Sequence, residues 1–525
     1  MTLKAPALPA VSGTLAVTTS LIDAVTLGLP TALPGLLSAA LSQKTTDLDV
    51  LYDYAHDNQI GKNGQYWKGR KPADGNLQDA LPQLVQDDQI GPAQEREVDA
   101  QFAKDPEWEV QEAGQTLENA ELVTALTDWH REAGLTAILK DAARARWWAA
   151  RMVGRVYIPE DYAEQLQRTP KTLAAILELI HVEPVDPRYG GPLLDAHKRV
   201  LGYWNRYGQI VNGEKVIIVE LYTPDRFLVF QQGVDGHLTH LPERDADSPF
   251  KGAGTARRAE YLMWHADRDG GSSITRSVRD AQDRLNVVGT YMGRNDEQTG
   301  YRQFIVSNAE GPVDREGKPA AYQMGPGVVV NLKGLTIDAV KTTAGERPQR
   351  HTPTWQIVDP LNPEEFHIPS INQWKRSLLE KLDQLWTLTP ETNVSGESKR
   401  QSRKPFDKRV TFGSQDTGGF LAWALRAALM LAAQVMEKTS EYQNVTFLPK
   451  LYLDVDAVNL EELRVKLAMW QAGALKLTTL LEATPGVADA AAEAKDLDEG
   501  GGSPESQAQQ AALNRLVNPD AGNTG

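Results

Sequence analysis

The chain has 525 residues, 41% hydrophobic and 24% charged, enough for roughly two to four compact units with cores of their own. Its zero cysteines exclude a disulfide scaffold, thiolate zinc, iron–sulfur clusters and a cysteine nucleophile, and fit assembly in a reducing cytoplasm. A formal charge of −15 argues against a protein that coats nucleic acid nonspecifically, while leaving room for a local basic patch.

Residues 1–46 contain the longest uncharged run, Ala24 to Gln43, which Pro30 and Pro34 break and several Ser and Thr dilute. A membrane span needs about twenty predominantly apolar residues, and a secretory leader needs a basic start. The stretch reads as an arm, flexible or packed on a partner, and no membrane is expected. From Asp47 to about Pro159 the pattern is mostly helical. In "DLDVLYDYAHD", Leu48, Leu51, Tyr52 and Ala55 share one face, and a longer helix is expected from Leu135 to Arg155, ended by Gly154. Residues 57–115 are polar and carry no clear assignment. A further helix is expected over about 171–180. Then "RVLGYWNRYG", "KVIIVELYT" and "RFLVFQQ", cut by Asn212-Gly213 and Pro224-Asp225, read as an antiparallel meander. No crossover helices separate these strands, so a doubly wound nucleotide-binding sheet is not expected.

After "GGSSI" at Gly270 comes one long helix with a single apolar stripe: Ile274, Val278, Ala281, Leu285, Val288 and Met292. Taken alone, it reads as a surface helix packed on a core. "YRQFIVS", "GVVVNL", "LTIDAV" and "TWQIVDP" are short strands between Gly- and Pro-rich turns. "IPSINQWKRSLLEKLDQLW" then starts a second helix, with Pro369, Ser370 and Gln373 placed like a capping box and a stripe of Ile371, Trp374, Leu378, Leu382 and Leu385. Two amphipathic helices thus bracket a compact strand module, as in a stalk with a small head. A polar loop, a strongly apolar helix from Gly419 to Glu437, a helix near 460–470 and a short one near 475–482 follow. From Asp496 onward the composition is that of a disordered tail.

Motifs for catalysis are poor. The phosphate-cradling G-x-x-x-x-G-K-[ST] loop and the G-x-S-x-G elbow are absent, and "GAGTARR" at Gly252 places Arg257 where a dinucleotide fingerprint needs its third glycine. His237 and His240 have zinc-ligand chemistry but lie in a hairpin region, and read as turn histidines. No catalytic, metal or cofactor residue is singled out. One charge reversal stands out: Lys399, Arg400, Arg403, Lys404, Lys408 and Arg409 oppose only Glu397 and Asp407. It reads either as a solvated, salt-bridged loop or as a sequence-blind contact to a phosphate backbone.

The order of these pieces resembles the portal proteins of tailed bacteriophages over about residues 47 to 493. "GSSI" and "RLNVVGTYM" resemble the entry and middle of that family's first stem helix, and "MGPGVVVNL" a turn and strand of its clip. "NVSGESKR" resembles the segment after its second stem helix. "WQAGALKLTTLLEATPGVADAAAE", with Gly473 and Thr479, resembles its C-terminal signature. The resemblance implies an α+β, mainly helical architecture: an arm at 1–46, a wing at 47–269, a first stem helix at 270–299 and a clip at 300–367. A second stem helix at 368–388, a channel loop at 389–417, a long wing helix at 418–445, a crown at 446–493 and a tail at 494–525 complete it. The stem would pack through Ile274, Val278, Leu285, Met292, Ile371, Trp374, Leu378 and Leu382, and the six cations from Lys399 to Arg409 would face the channel.

In function, the resemblance implies a non-enzymatic ring of twelve copies at one capsid vertex of the virion, assembled in the host cytoplasm. It would pass double-stranded DNA in packaging and ejection. Its partners would be further copies of the chain, the major capsid protein, a scaffolding protein, terminase and a neck or adaptor protein. Another non-enzymatic virion or adaptor protein with a helical stalk, or an undetected hydrolase, are the alternatives.

Overall fold

In the computed structural model, the described residues are 28–43, 45–69, 84–112, 115–251 and 260–299, together with parts of 303–335 and residues 352–358, 362–388, 396–454, 466–470 and 476–482, with gaps of one or two residues inside these ranges. The fold is mixed α+β. Helices α1 (Ala32–Ser42), α2 (Thr46–Ala55) and α3 (Ile90–Asp99) precede strands β1 (Lys104–Glu112) and β2 (Gln115–Thr116). Then follow α4 (Ala120–Glu132), α5 (Leu135–Ala149), β3 (Arg151–Tyr157), α6 (Ala163–Arg168), α7 (Leu173–Leu177) and β4 (His181–Pro184). Strands β5 (Gly190–Leu194), β6 (Val200–Val211), β7 (Glu214–Tyr222), β8 (Arg226–Gln232), β9 (Leu238–His240), β10 (Ala246–Asp247) and β11 (Met263–Asp267) lead into α8 (Arg276–Thr299). The chain continues through β12 (Gln303–Ser307), β13 (Thr354–Val358), α9 (Pro363–Lys381), α10 (Gly396–Val435), α11 (Thr439–Tyr442) and β14 (Val445–Tyr452).

The expected meander is present. β5, β6, β7, β8 and β10 form one antiparallel sheet with β9 paired to β8, and the β6–β7 turn has Gly213 at φ +83°. Its inner face is covered by α1, whose Leu33 and Leu37 are buried among Leu193, Trp204, Val219, Leu228 and Phe230. The expected N-terminal arm is therefore not separate from residue 32 onward. An 11-residue helix, marginal alone in water, becomes stable once its apolar face meets a sheet.

The main core is built on α10. Phe420, Leu421, Ala424, Leu425, Ala428 and Leu429 are all 0% exposed, on a helix packed against β14, β3, α7, α5 and β11. By length and composition Gln401–Val435 could cross a membrane, but its apolar half is spent on the chain's own interior. Strand β3 pairs with both β11 and β4. The helix expected over Leu135 to Arg155 stops at Ala149, because Ala150 adopts a left-handed φ of +62° and the strand begins at once. Gly154 lies inside β3 and does not end a helix. A Cβ there would stand 2.3 Å from a ring carbon of Phe420, so its role is to let α10 approach the sheet.

Two further corrections concern the C-terminal half. The basic segment expected as a loop is helical from Gly396, continuous through Pro405 into the apolar helix. Residues 445–452, expected at the start of a crown, form a strand that pairs antiparallel with β1, from Lys104↔Tyr452 to Glu112↔Val445. Alternating Val445 and Phe447, both buried, anchor it to the main core. The strand segments "GVVVNL" and "LTIDAV", most of the helix near 460–470 and the tail lie outside the described residues.

Candidate functional site

Helices α8 and α9 pack along each other, and their predicted stripes meet. Ile274, Val278, Ala281 and Leu285 share one buried cluster with Leu378, Leu379 and Leu382, flanked by Ile371 and Trp374. Met292 is only partly buried and lies outside that cluster. The second helix begins earlier than its sequence suggests. Asn362 Oδ1 accepts from Glu364 N at 3.1 Å and Pro363 occupies the first turn, which leaves Pro369 inside the helix. At the far end the two helices are joined through β12 and β13, paired antiparallel from Gln303↔Val358 to Ser307↔Thr354.

The glycine-serine entry is a pinned turn. Gly270 and Gly271 both have positive φ, +85° and +79°, which reverses the chain out of β11. Ser272 Oγ then donates to Trp148 O at 2.6 Å and accepts from Ile274 N at 2.9 Å, and Ser273 N donates to Trp147 O at 3.1 Å. The start of α8 is thereby fixed to the end of α5.

Arg409, from the basic segment, ties the same place together. It donates to Glu97 Oε2 at 3.1 Å, to Asp383 Oδ2 at 3.2 Å and to Ser273 Oγ at 2.9 Å. Glu97 is 2% exposed and also accepts from Trp147 Nε1 at 2.9 Å. One guanidinium thus joins α3, the residue two past the end of α9, the approach to α8, and α10. Beside it, Arg146 donates to Asp416 Oδ2 at 2.5 Å and Arg268 donates to Ser273 Oγ. Burial, with Arg409 and Arg146 close by, pushes Arg268 down to about 10.

The other face of α8 is polar and also buried, a feature the stripe did not announce. Gln282, Asn286 and Thr290, spaced four apart and buried, bond the backbone of an irregular segment from Val85 to Gln89. Val85 N donates to Thr290 Oγ1 at 2.9 Å, Asp87 N to Asn286 Oδ1 at 3.1 Å and Gln89 N to Gln282 Oε1 at 3.2 Å. Gln282 Nε2 returns a bond to Asp87 O at 2.6 Å. The four-residue spacing of amides and a hydroxyl is the sequence signal that could have found this ladder. Asp88 closes the segment by accepting from Ile90 N and Gly91 N at the start of α3. On the next face, Asp283 Oδ1 accepts from Tyr54 OH at 2.5 Å, and burial raises the Asp283 carboxyl above its usual range.

The six predicted channel cations divide. Arg403 donates to Asp407 Oδ1 at 3.0 Å, approaches Asp454 and lies 5.1 Å from the Trp386 ring. Arg403 and Arg409 are therefore internal ties. Lys404 and Lys408 stand exposed one turn apart, with Lys408 5.7 Å from the exposed Phe412 ring and neither in an ion pair among the described residues. The side chains of Lys399 and Arg400 lie outside the described residues. His240 is paired with Asp245 at 2.9 Å, and among the described residues no group of three or more His, Cys, Asp or Glu could hold a metal ion.

No known family model matches the chain, and no curated protein matches it.

Proposed function

We propose that the chain is the subunit of a ring-shaped portal of the kind that tailed bacteriophages carry at one capsid vertex, acting mechanically and without bond chemistry. The observation that carries this reading is the excursion of the chain from 270 to 388. It leaves a mixed α+β body at Ser273 on a long helix, turns through a strand pair and returns on a second helix. Arg409 then bonds Ser273 at its beginning and Asp383, just past the second helix, near its end. A long helix through the core of the body follows directly. In this reading α8 and α9 are one stave of a stem, β12 and β13 belong to a clip that docks the terminase motor and later a neck protein, and the body is the wing held by capsid and scaffolding proteins. The exposed Lys404 and Lys408 offer screened, sequence-blind contacts to passing double-stranded DNA.

Closed cyclic symmetry is the assembly this function requires. Native mass measurement with negative-stain imaging is the test. Twelve copies of a 57.8 kDa chain give a hollow ring of about 694 kDa. A monomer or dimer that stays so at all concentrations, with and without scaffolding protein, would sink the reading.

A further inference from the structure

Between the six-stranded sheet and the β3 side of the main core lies a cavity of about 700 Å³. Its apolar surface comes from Val156 and Val229, both buried, from Leu262, and from Leu431 of α10. Three tyrosines from three strands, Tyr157, Tyr207 and Tyr222, supply aromatic walls. Arg155 and Glu220 also line it, with side chains only 8% and 7% exposed.

The polar groups have a definite bias. Glu220 accepts from Arg155 Nη1 at 2.6 Å, Asn205 Nδ2 at 3.1 Å, and the hydroxyls of Tyr207 and Tyr222 at 2.9 Å each. Tyr157 OH donates to Glu183 Oε2 at 3.0 Å. All three phenolic hydrogens are thus committed to carboxylates, and the phenol oxygens keep lone pairs to offer. Burial first, then the neighbouring carboxylates, pushes these phenols up, Tyr157 to about 12, so they stay protonated donors at neutral pH. In the lining, Glu160, Asp161, Glu220 and Asp247 face Arg155 and Arg244, an excess of two negative charges. Counting Glu183 behind Arg155 and Lys251 on Asp247 leaves that excess unchanged.

The geometry points to a binding site for an organic cation, a primary ammonium or a guanidinium on an aliphatic stem. The stem would lie on the apolar surface, and the charged end would meet the carboxylates and phenol lone pairs against the tyrosine faces. The chain already displays this recognition once. The Arg155 guanidinium carbon sits 4.1 Å from the Tyr157 ring centre and 5.0 Å from that of Tyr207, while its nitrogens reach Glu183 and Glu220. An anion would meet the carboxylate excess, and a neutral apolar guest would strip water from the charged lining without replacing its hydrogen bonds. The inference does not depend on the portal reading. The same chemistry can arrive as a free polyamine or as a lysine or arginine side chain of a partner protein.

The test uses the full chain in titration calorimetry with three probes: spermidine, N-acetyl-arginine amide, and neutral 1,4-butanediol. One molecule of either cation is expected per chain, and no binding of the diol. Spermidine alone would identify a soluble amine as the guest, whereas binding of the capped arginine would identify a partner's basic side chain. Glu220 already accepts four hydrogen bonds, so Glu220→Gln acts by removing one negative charge beside the guest and should weaken binding roughly tenfold. Because that change also disturbs Arg155, two variants leave the network in place. Asp161→Asn removes one carboxylate at the exposed edge and should weaken binding by several-fold. Gln434→Trp fills space beside Leu431, gives up the exposed bond from Gln434 Nε2 to Asp247 O, and should abolish binding while lowering the thermal melt only slightly. Equal binding of the diol, no binding of either cation, or undiminished binding to Gln434→Trp would overturn the proposal.

Discussion

At the scale of single residues, the strongest consequences come from charges whose partners are out of water. Arg409 is the cation for Glu97, which is almost wholly buried. Among the described residues, Arg409→Met leaves that carboxylate one hydrogen-bond donor, Trp147 Nε1, and should cost about 3–5 kcal/mol in denaturant unfolding. Lys408→Met, one residue earlier and exposed, should stay within about 0.5 kcal/mol. Equal effects would show that Arg409 does not tie these elements. The same contrast explains why the basic run in the sequence misled. Six cations in eleven positions look alike in one dimension, but on a helix Arg403 and Arg409 turn toward carboxylates from distant segments while Lys404 and Lys408 turn outward. Asp283 offers a test by pH. Its folded pKa is raised, chiefly by burial, so the neutral acid is favoured in the folded state. Its contribution is present in full below the ordinary carboxylate value of about 4 and is lost as pH rises through the folded pKa. Asp283→Asn keeps an oxygen for the Tyr54 hydroxyl and has no charge to bury. The variant should therefore gain stability relative to the parent between pH 4 and pH 7. A difference that does not move with pH would show that burial does not raise this carboxyl.

At the scale of elements, apolar periodicity was read well and buried polarity was not. The stripes of α8 and α9 and the β6–β8 meander were legible because each element buries one face, and the period of that face is written in the sequence. Three elements were misread for identifiable reasons. The end of α5 is set by a left-handed alanine, which carries no sequence mark as glycine would. Gly154 resembled a helix stop but is demanded by the Phe420 ring, a contact made across more than 260 residues of chain. The helicity of 396–417 was hidden by Pro405 and by charge that only tertiary partners neutralise. The segment at 85–89 was illegible for a deeper reason: its place depends on long-range bonds, to its backbone from α8 and through Gln86 and Asp88 to residues 57–60 and the start of α3. Asn286 stands at the centre, accepting from Asp87 N and donating to Gln59 Oε1 at 3.3 Å. Asn286→Leu is isosteric enough to keep the helix but leaves the Asp87 amide unsatisfied, at a cost of about 1–3 kcal/mol. Hydrogen exchange should then show the amides of Val85, Asp87 and Gln89 opening together, with α8 itself still protected. Unchanged protection at all three would mean the ladder does not hold the segment.

At the scale of the whole molecule, the proposed portal role raises the question of how an acidic chain would meet DNA. With a formal charge of −15, most of the surface repels phosphate, so any contact must be local and weak. The exposed pair Lys404 and Lys408 meets that condition. It sits on the solvent side of α10, just ahead of Gly413 and the apolar run that anchors the helix in the core, and its cations are free of ion pairs among the described residues. Arg403 and Arg409 on the same turns are engaged internally and should not contribute. Each phosphate neutralised adds about 0.9 to the slope of log affinity against log salt on duplex DNA. The double variant Lys404→Gln/Lys408→Gln should therefore lower that slope by up to about 2 per contacting chain, with its unfolding midpoint unchanged. Arg403→Gln/Arg409→Gln should do the opposite, lowering the midpoint while leaving the slope of the folded fraction as it was. A lysine variant with the parental salt slope would remove these two side chains from any DNA path. Loss of stability in the lysine variant would instead place them among the structural ties.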